Sequence, residues 1–270
     1  MCAKKKKMLY DIDKWLKPYK AVIDKRHKMI LEAKEKFSTD GSLSKGMNNH
    51  IYYGMHKNAQ GDWVFREWAP NANKIYLIGD FNNWKRSEAY ALRPLGGGNW
   101  EITLPAMFLD HGTLYKLFIE WPGGGAERLP AYVTRTVQDP HTKQFCAQVW
   151  DPQPYQWKNE KPGKRPHPLI YECHIGMAAE EEKVGTFEEF RTNVLPKVAD
   201  LGYDPLQIMA LQEHPYYGSF GYQVSNFFAL SSRFGTPEEF KALVDEAHGL
   251  GIAVVMDIVH SHSVDNEAEG

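Results

Sequence analysis

The chain has 270 residues, is 43% hydrophobic and carries a formal charge of −2, which allows one large or two ordinary domains with a sizeable core. That charge balance offers no nucleic-acid surface, and the lysine run at 4–7 reads as a solvated tail. No segment is long enough to span a membrane, and Cys2, Cys146 and Cys173 form neither a disulfide framework nor a metal spacing, as suits a reducing cytoplasm.

Residues 1–48 form an amino-terminal helical segment. Tyr19, Val22, Ile23, Ile30, Ala33 and Phe37 keep near-helical spacing, so one amphipathic helix is expected over 11–37, with Pro18 near its start and its apolar side laid against another element. Trp15 and Tyr19 are candidates for a surface platform, because a flat ring suits the apolar face of a sugar.

From 49 to 150 the pattern turns to β. Runs at Trp63–Trp68, 74–78, 100–104 and Leu114–Trp121 are bounded by clusters of Asn, Gly and Pro, which predicts an immunoglobulin-like sandwich. Within it, Gly79-Asp80-Phe81-Asn82-Asn83-Trp84 reads as a tight corner that places Phe81 and Trp84. Trp84 is therefore a further candidate for a carbohydrate-facing ring, against the alternative of a packed corner.

Residues 151–167 are rich in proline and charge and read as a linker. The unit at 168–270 alternates strand and helix. Strands are expected at 169–175, 206–211 and 252–259, with capping boxes at Thr186/Glu189 and Thr236/Glu239 and a kink or a shortened helix at Pro196. The run 252–259 is almost continuously apolar, as in a parallel sheet covered on both faces, yet Asp257 interrupts it and His260 and His262 follow at alternate positions. A carboxylate inside a buried strand is costly unless paired or used. Strand, helix and strand ending in polar residues are the grammar of a (β/α)8 TIM barrel, whose sites lie on the rim at the carboxyl ends of the strands. The fold expected is thus multidomain: an amino-terminal helix, an all-β sandwich, and the first three β/α units of an incomplete barrel.

Two resemblances follow from these residues. REWAPNANKIYLIGDFNNW, with His111-Gly112 and Tyr115-Lys116, resembles the starch- and glycogen-associated module that precedes the barrel in branching and debranching enzymes. YECHIGMAAEEEKVGTFEEF, QIMALQEHPYYGSFGYQVSNFFALSSRFGTPEEF and MDIVHSH resemble the amino-terminal third of the catalytic barrel of 1,4-α-glucan branching enzymes in the α-amylase family, and the Trp15–Tyr19 stretch resembles their eukaryotic-type branch. Cys173 and Asp204-Pro205 depart from the usual pattern outside the site.

The resemblance implies that His262 binds the sugar at the cleavage point, that Tyr222 stacks beneath the same sugar, and that Asp257 supports them. It leaves Glu213, His214, Tyr216 and Tyr217 open between subsite lining and loop packing, and His260 structural. Ser261 stands where many α-amylases have a calcium-associated asparagine, so no metal or cofactor is expected. The implied partner is an α-1,4-glucan such as glycogen, with no nucleic acid and no membrane.

Retaining glycosyl transfer needs two carboxyl groups about 5 Å apart. The resemblance places both on strands beyond residue 270, so no catalytic residue is assigned, and a fragment inactive by itself, with an open sheet edge, is expected. The competing readings are a non-catalytic glucan-binding scaffold, a related debranching hydrolase, and a metal-dependent hydrolase built on His260 and His262.

Overall fold

The computed structural model describes residues 7–265; Cys2 and most of the 4–7 lysine run lie outside them. The chain divides into two compact units, Met1–Ile51 and Tyr52–Gly270.

The first unit does not contain one helix over 11–37. A short helix, Leu9–Ile12, ends at Asp13, a 3-10 segment spans Lys14–Tyr19, and the long helix runs Lys20–Phe37. Asp13 is extended, and its carboxylate accepts the Trp15 N–H at 2.9 Å, which starts a new turn. Pro18 lies inside the 3-10 segment; it has no N–H for the bond an α-helix requires there, so regular helix begins only after it. The long helix buries none of its residues, and Val22, Ile30 and Phe37 stay exposed.

In the second unit nine strands build the sandwich: β1 (Gly54–Lys57), β2 (Trp63–Trp68), β3 (Lys74–Gly79), β4 (Arg93–Gly96), β5 (Asn99–Leu104), β6 (Leu114–Trp121), β7 (Gly124–Arg128), β8 (Thr136–Gln138) and β9 (Phe145–Gln148). One antiparallel sheet has the order β1-β2-β5-β4; the other has β3-β6-β9-β8, with β7 on β6. Phe65 lies opposite Ile102 in the first sheet and Leu77 opposite Leu117 in the second, and these residues join one core with Trp63, Trp100 and Tyr115. The tight corner expected after β3 forms, as a 3-10 turn over Asp80–Asn82 with the Trp84 N–H on Gly79 O at 2.9 Å, but glycine serves there for space rather than for a turn conformation. Gly79 has extended backbone, and glycine is needed because a Cβ there would lie 2.3 Å from the Leu114 carbonyl oxygen.

The stretch 151–167 has no regular structure, but it is strapped down. The Lys158 and Asn159 backbone N–H groups and the Asn159 side-chain amide donate to the buried Asp245 carboxylate, and the Tyr155 hydroxyl adds a bond of 3.2 Å. Burial pushes the Asp245 carboxyl up, but these donors outweigh it and hold it below the ordinary carboxylate range.

Three parallel strands follow, β10 (Tyr171–Cys173), β11 (Leu206–Ile208) and, after the hairpin β12 (Gln212–Glu213) and β13 (Asn226–Leu230), β14 (Val254–Met256). The order is β10-β11-β14, with Glu172, Gln207 and Val255 in register. The ladder is shorter than the apolar runs suggest, though Met209 N–H still reaches Cys173 O and Asp257 N–H reaches Ile208 O. Both capping boxes form as expected at Thr186 and Thr236. Pro196 follows a π-helical turn, Phe190–Val194, so the predicted kink is realised as a widened turn.

One face of this sheet packs against Phe187, Phe190, Phe234 and Leu243. The expectation that 252–259 is covered on both faces is not met: Val255, Met256 and Ile258 are exposed. β14 has no further neighbour among the described residues, which leaves the open edge foreseen for three strands of a barrel.

Candidate functional site

The rim beyond β11 and β14 gathers the predicted residues. Gly221 sits at φ +85°, and a Cβ there would come within 2.1 Å of the Ala210 carbonyl oxygen, so only glycine lets the loop pass so close. That turn delivers Tyr222, whose N–H bonds Ser219 O at 3.0 Å and whose ring packs on Ala210, Val224 and Val259. The Tyr222 hydroxyl donates to Asp257 Oδ2 at 3.0 Å. Burial, then the bond to Asp257, raises the phenol above its ordinary range.

His262 lies against the same residue, with Nε2 2.6 Å from the Tyr222 carbonyl oxygen. A carbonyl can only accept, so Nε2 carries the proton; in the neutral ring Nδ1, 3.0 Å from Ser261 Oγ, is then an acceptor. The ring is exposed, so a sugar hydroxyl can compete for it. Tyr222, 35 residues before Asp257 and 40 before His262, therefore joins both in one hydrogen-bonded cluster.

Gln207 completes it. Its amide nitrogen donates to Asp257 Oδ1 and to Glu172 Oε1, both at 3.2 Å, which links β10, β11 and the end of β14. Sequence reading did not single out Gln207 or Glu172, although the signal was the one that exposed Asp257: a polar residue inside an apolar strand run. With Tyr222 on one oxygen and Gln207 on the other, Asp257 acts as a brace for the ring above it.

Other candidates fall outside the cluster. Glu213 and His214, read as possible subsite lining, are fully buried; Tyr216 is exposed and Tyr217 partly buried. His260 rests against Phe227, with ring centroids 5.9 Å apart, and does not join His262. Among the described residues, no group of three or more His, Cys, Asp or Glu side chains could hold a metal ion. Trp15 and Tyr19 are exposed on the first unit, whereas Trp84, in the second, is held at φ +59° with its Nε1–H donating to Asp80 Oδ1. Cys173 is buried, and burial pushes its thiol up to about 12.

Comparison with known proteins agrees with the order of folds, sandwich and then barrel. Residues 52–141 match the carbohydrate-binding module 48 (isoamylase N-terminal domain) family, and residues 182–269 match the alpha amylase catalytic domain. The 1,4-alpha-glucan-branching enzymes of Yarrowia lipolytica and Rhizophagus irregularis are 40% and 42% identical over 96% of this chain. That of Dictyostelium discoideum is 41% identical over 98%. The chain matches the amino-terminal portion of branching enzymes. It spans about two fifths of the length of these curated relatives, covering 39%, 39% and 40% of them.

Among solved structures, one from Salmonella typhimurium described as an alpha amylase superposes with a TM-score of 0.67 at 27% identity, covering 80% of this chain and 34% of its own. A pullulanase solved with maltotetraose superposes at 0.61 with 20% identity, covering 76% of this chain and 33% of that one, a likeness of fold alone. Within the branching-enzyme match, a carbohydrate-binding module is followed by the opening strands of an alpha-amylase-type barrel.

Proposed function

We propose that the rim formed by Tyr222, His262 and Asp257 grips a glucose unit of an α-1,4-glucan, as the recognition part of a branching enzyme. The whole enzyme would cleave an α-1,4 bond, hold the fragment covalently and pass it to a 6-hydroxyl, in cytoplasmic glycogen biosynthesis. One observation carries the reading: a tyrosine ring is braced by a carboxylate through its hydroxyl while an exposed histidine is hydrogen-bonded to its backbone. The ring offers an apolar platform to a pyranose, and the imidazole can bind a hydroxyl. Asp257 is assigned a supporting role rather than that of nucleophile or acid, its two oxygens accepting from Tyr222 and Gln207. Residues 7–265 then supply recognition, and the 270-residue chain alone is expected to form no α-1,6 linkages.

The working domains are the segment 1–48, the module 49–150, the strap 151–167 and the barrel portion 168–270. Trp84 on the module, and Trp15 with Tyr19 on the first unit, are proposed as secondary glucan contacts.

The test is binding of maltoheptaose by calorimetry. Tyr222→Ala and His262→Ala should each weaken it about tenfold or more, and Trp84→Ala much less. The reverse ranking would favour a binding scaffold that works through the sandwich, the reading that the module match supports. Wild-type affinity in both rim variants would overturn the proposed site.

A further inference from the structure

Glu213 is a buried carboxylate that the glucan site does not use directly. Its Oε2 accepts three donors: the Ser232 N–H at 2.9 Å, the Ser232 hydroxyl at 3.1 Å and the Thr136 hydroxyl at 3.0 Å; Oε1 accepts the His214 N–H at 3.1 Å. Thr136 belongs to β8 of the sandwich, 77 residues away, and is itself fully buried. A carboxylate with no exposed surface is tolerated only with such a donor set, and loss of one donor leaves a desolvated acceptor short.

Glu213 also closes the neck of the loop that carries Tyr222. Its carbonyl accepts the Ser225 N–H at 2.8 Å and lies 3.2 Å from the Ser225 hydroxyl, while its neighbour Gln212 uses its side chain to bond Phe227 O and Val259 N–H. The two ends of the loop meet at this residue. Beside it, Arg135 of the sandwich donates to Gly235 O at 2.7 Å, its backbone bridges Leu230, and Tyr132 stacks on Phe228 with centroids 4.8 Å apart.

We propose that Glu213 is a positioning residue for Tyr222 and that Thr136 is the sandwich's contribution to it, so that the module is part of the scaffold of the glucan site as well as a neighbour of it. The inference rests on the reading of Tyr222 as a glucan platform, but the clasp itself can be tested without sugar.

The experiment compares the full chain with Thr136→Val, which keeps the shape and removes the hydroxyl, and Thr136→Ser, which keeps the hydroxyl. Hydrogen exchange of the amides between 214 and 225, including the bonded N–H groups of Tyr222 and Ser225, is read by mass spectrometry. Thr136→Val should speed their exchange about tenfold or more, with the sandwich strands still protected, and Thr136→Ser should restore protection. Maltoheptaose affinity should fall and recover in the same order. Loop exchange at the wild-type rate in Thr136→Val, or equal loosening in Thr136→Ser, overturns the proposal. If Thr136→Val does not fold, Glu213→Gln decides instead: an amide has one accepting oxygen in place of two, so it cannot serve the Thr136 and Ser232 donors and the His214 N–H together, and loop exchange at the wild-type rate there overturns the proposal. If the wild-type chain does not bind maltoheptaose, the glucan reading fails, and the exchange data still decide whether the sandwich holds the loop.

Discussion

The sandwich and the parallel sheet solve the same problem with different success. In the sandwich, Phe65, Ile75, Leu77 and Leu117 face one another across two sheets and are essentially inaccessible. In the parallel sheet Leu206 and Ile208 are equally buried on one side, but Val255, Met256 and Ile258 are exposed around the last strand. The pairings are equally long-range in both, Phe65 with Ile102 and Leu77 with Leu117 in the sandwich, Glu172 with Gln207 and Gln207 with Val255 in the parallel sheet; the sandwich differs in having a second sheet to cover its inner face. The difference teaches that apolar pattern reports what a strand needs, and the presence of an opposing layer decides whether the need is met.

Four changes would break or sharpen that contrast. The largest effect is expected from Phe234→Ala. This ring is fully buried between Phe187 and His174, and its removal should cost about 3–5 kcal/mol in urea unfolding. Because the bonds of Thr136 to Glu213 and of Arg135 to Gly235 tie both regions together, a single transition should shift; a sandwich whose tryptophan signal keeps its midpoint would show two independent units. Gly221→Ala should come next, at about 1–3 kcal/mol from backbone strain alone, with the contact to Ala210 O adding to it, and maltoheptaose binding should be lost with it.

Thr236→Ala should cost about 0.5–2 kcal/mol, since it removes the acceptor for the Glu239 N–H at the start of the helix Pro237–Gly249; thermal unfolding measures it. The smallest effect concerns acid. His174 is buried with neither ring nitrogen partnered, and burial first, then the neighbouring His214, lowers its pKa from 6.5. The folded protein resists the proton that the unfolded chain accepts, so stability is present above about 6.5 and is lost as pH falls from there towards the lowered folded value. His174→Leu should flatten that part of a stability-against-pH curve.

Much of this was legible in the residues. β2 and β6 have the limits that their turn-bounded runs predict, and the helix after Thr236 starts where its capping box and proline place it, because each signal is local. β4, β7 and the bridging pair β8 and β9 were not recognised: they are three to five residues long, and two of them are glycine-bearing. The break at Asp13 was hidden by apolar spacing that continues through it. The rim was legible for Tyr222, Asp257 and His262 through resemblance. Gln207 needed only the argument already applied to Asp257. Thr136 could not be found that way, because nothing in a β-strand threonine announces a carboxylate 77 residues downstream.

The strap at 155–159 has a practical consequence for chimeras. Its anchor, Asp245, is on the helix Pro237–Gly249, far beyond any boundary that a designer would draw between module and barrel. A module transplanted from a relative together with its own connecting segment would meet a foreign residue at 245 unless that position travels with it. Such hybrids should be cut before residue 151, so that the segment and its anchor come from the same parent.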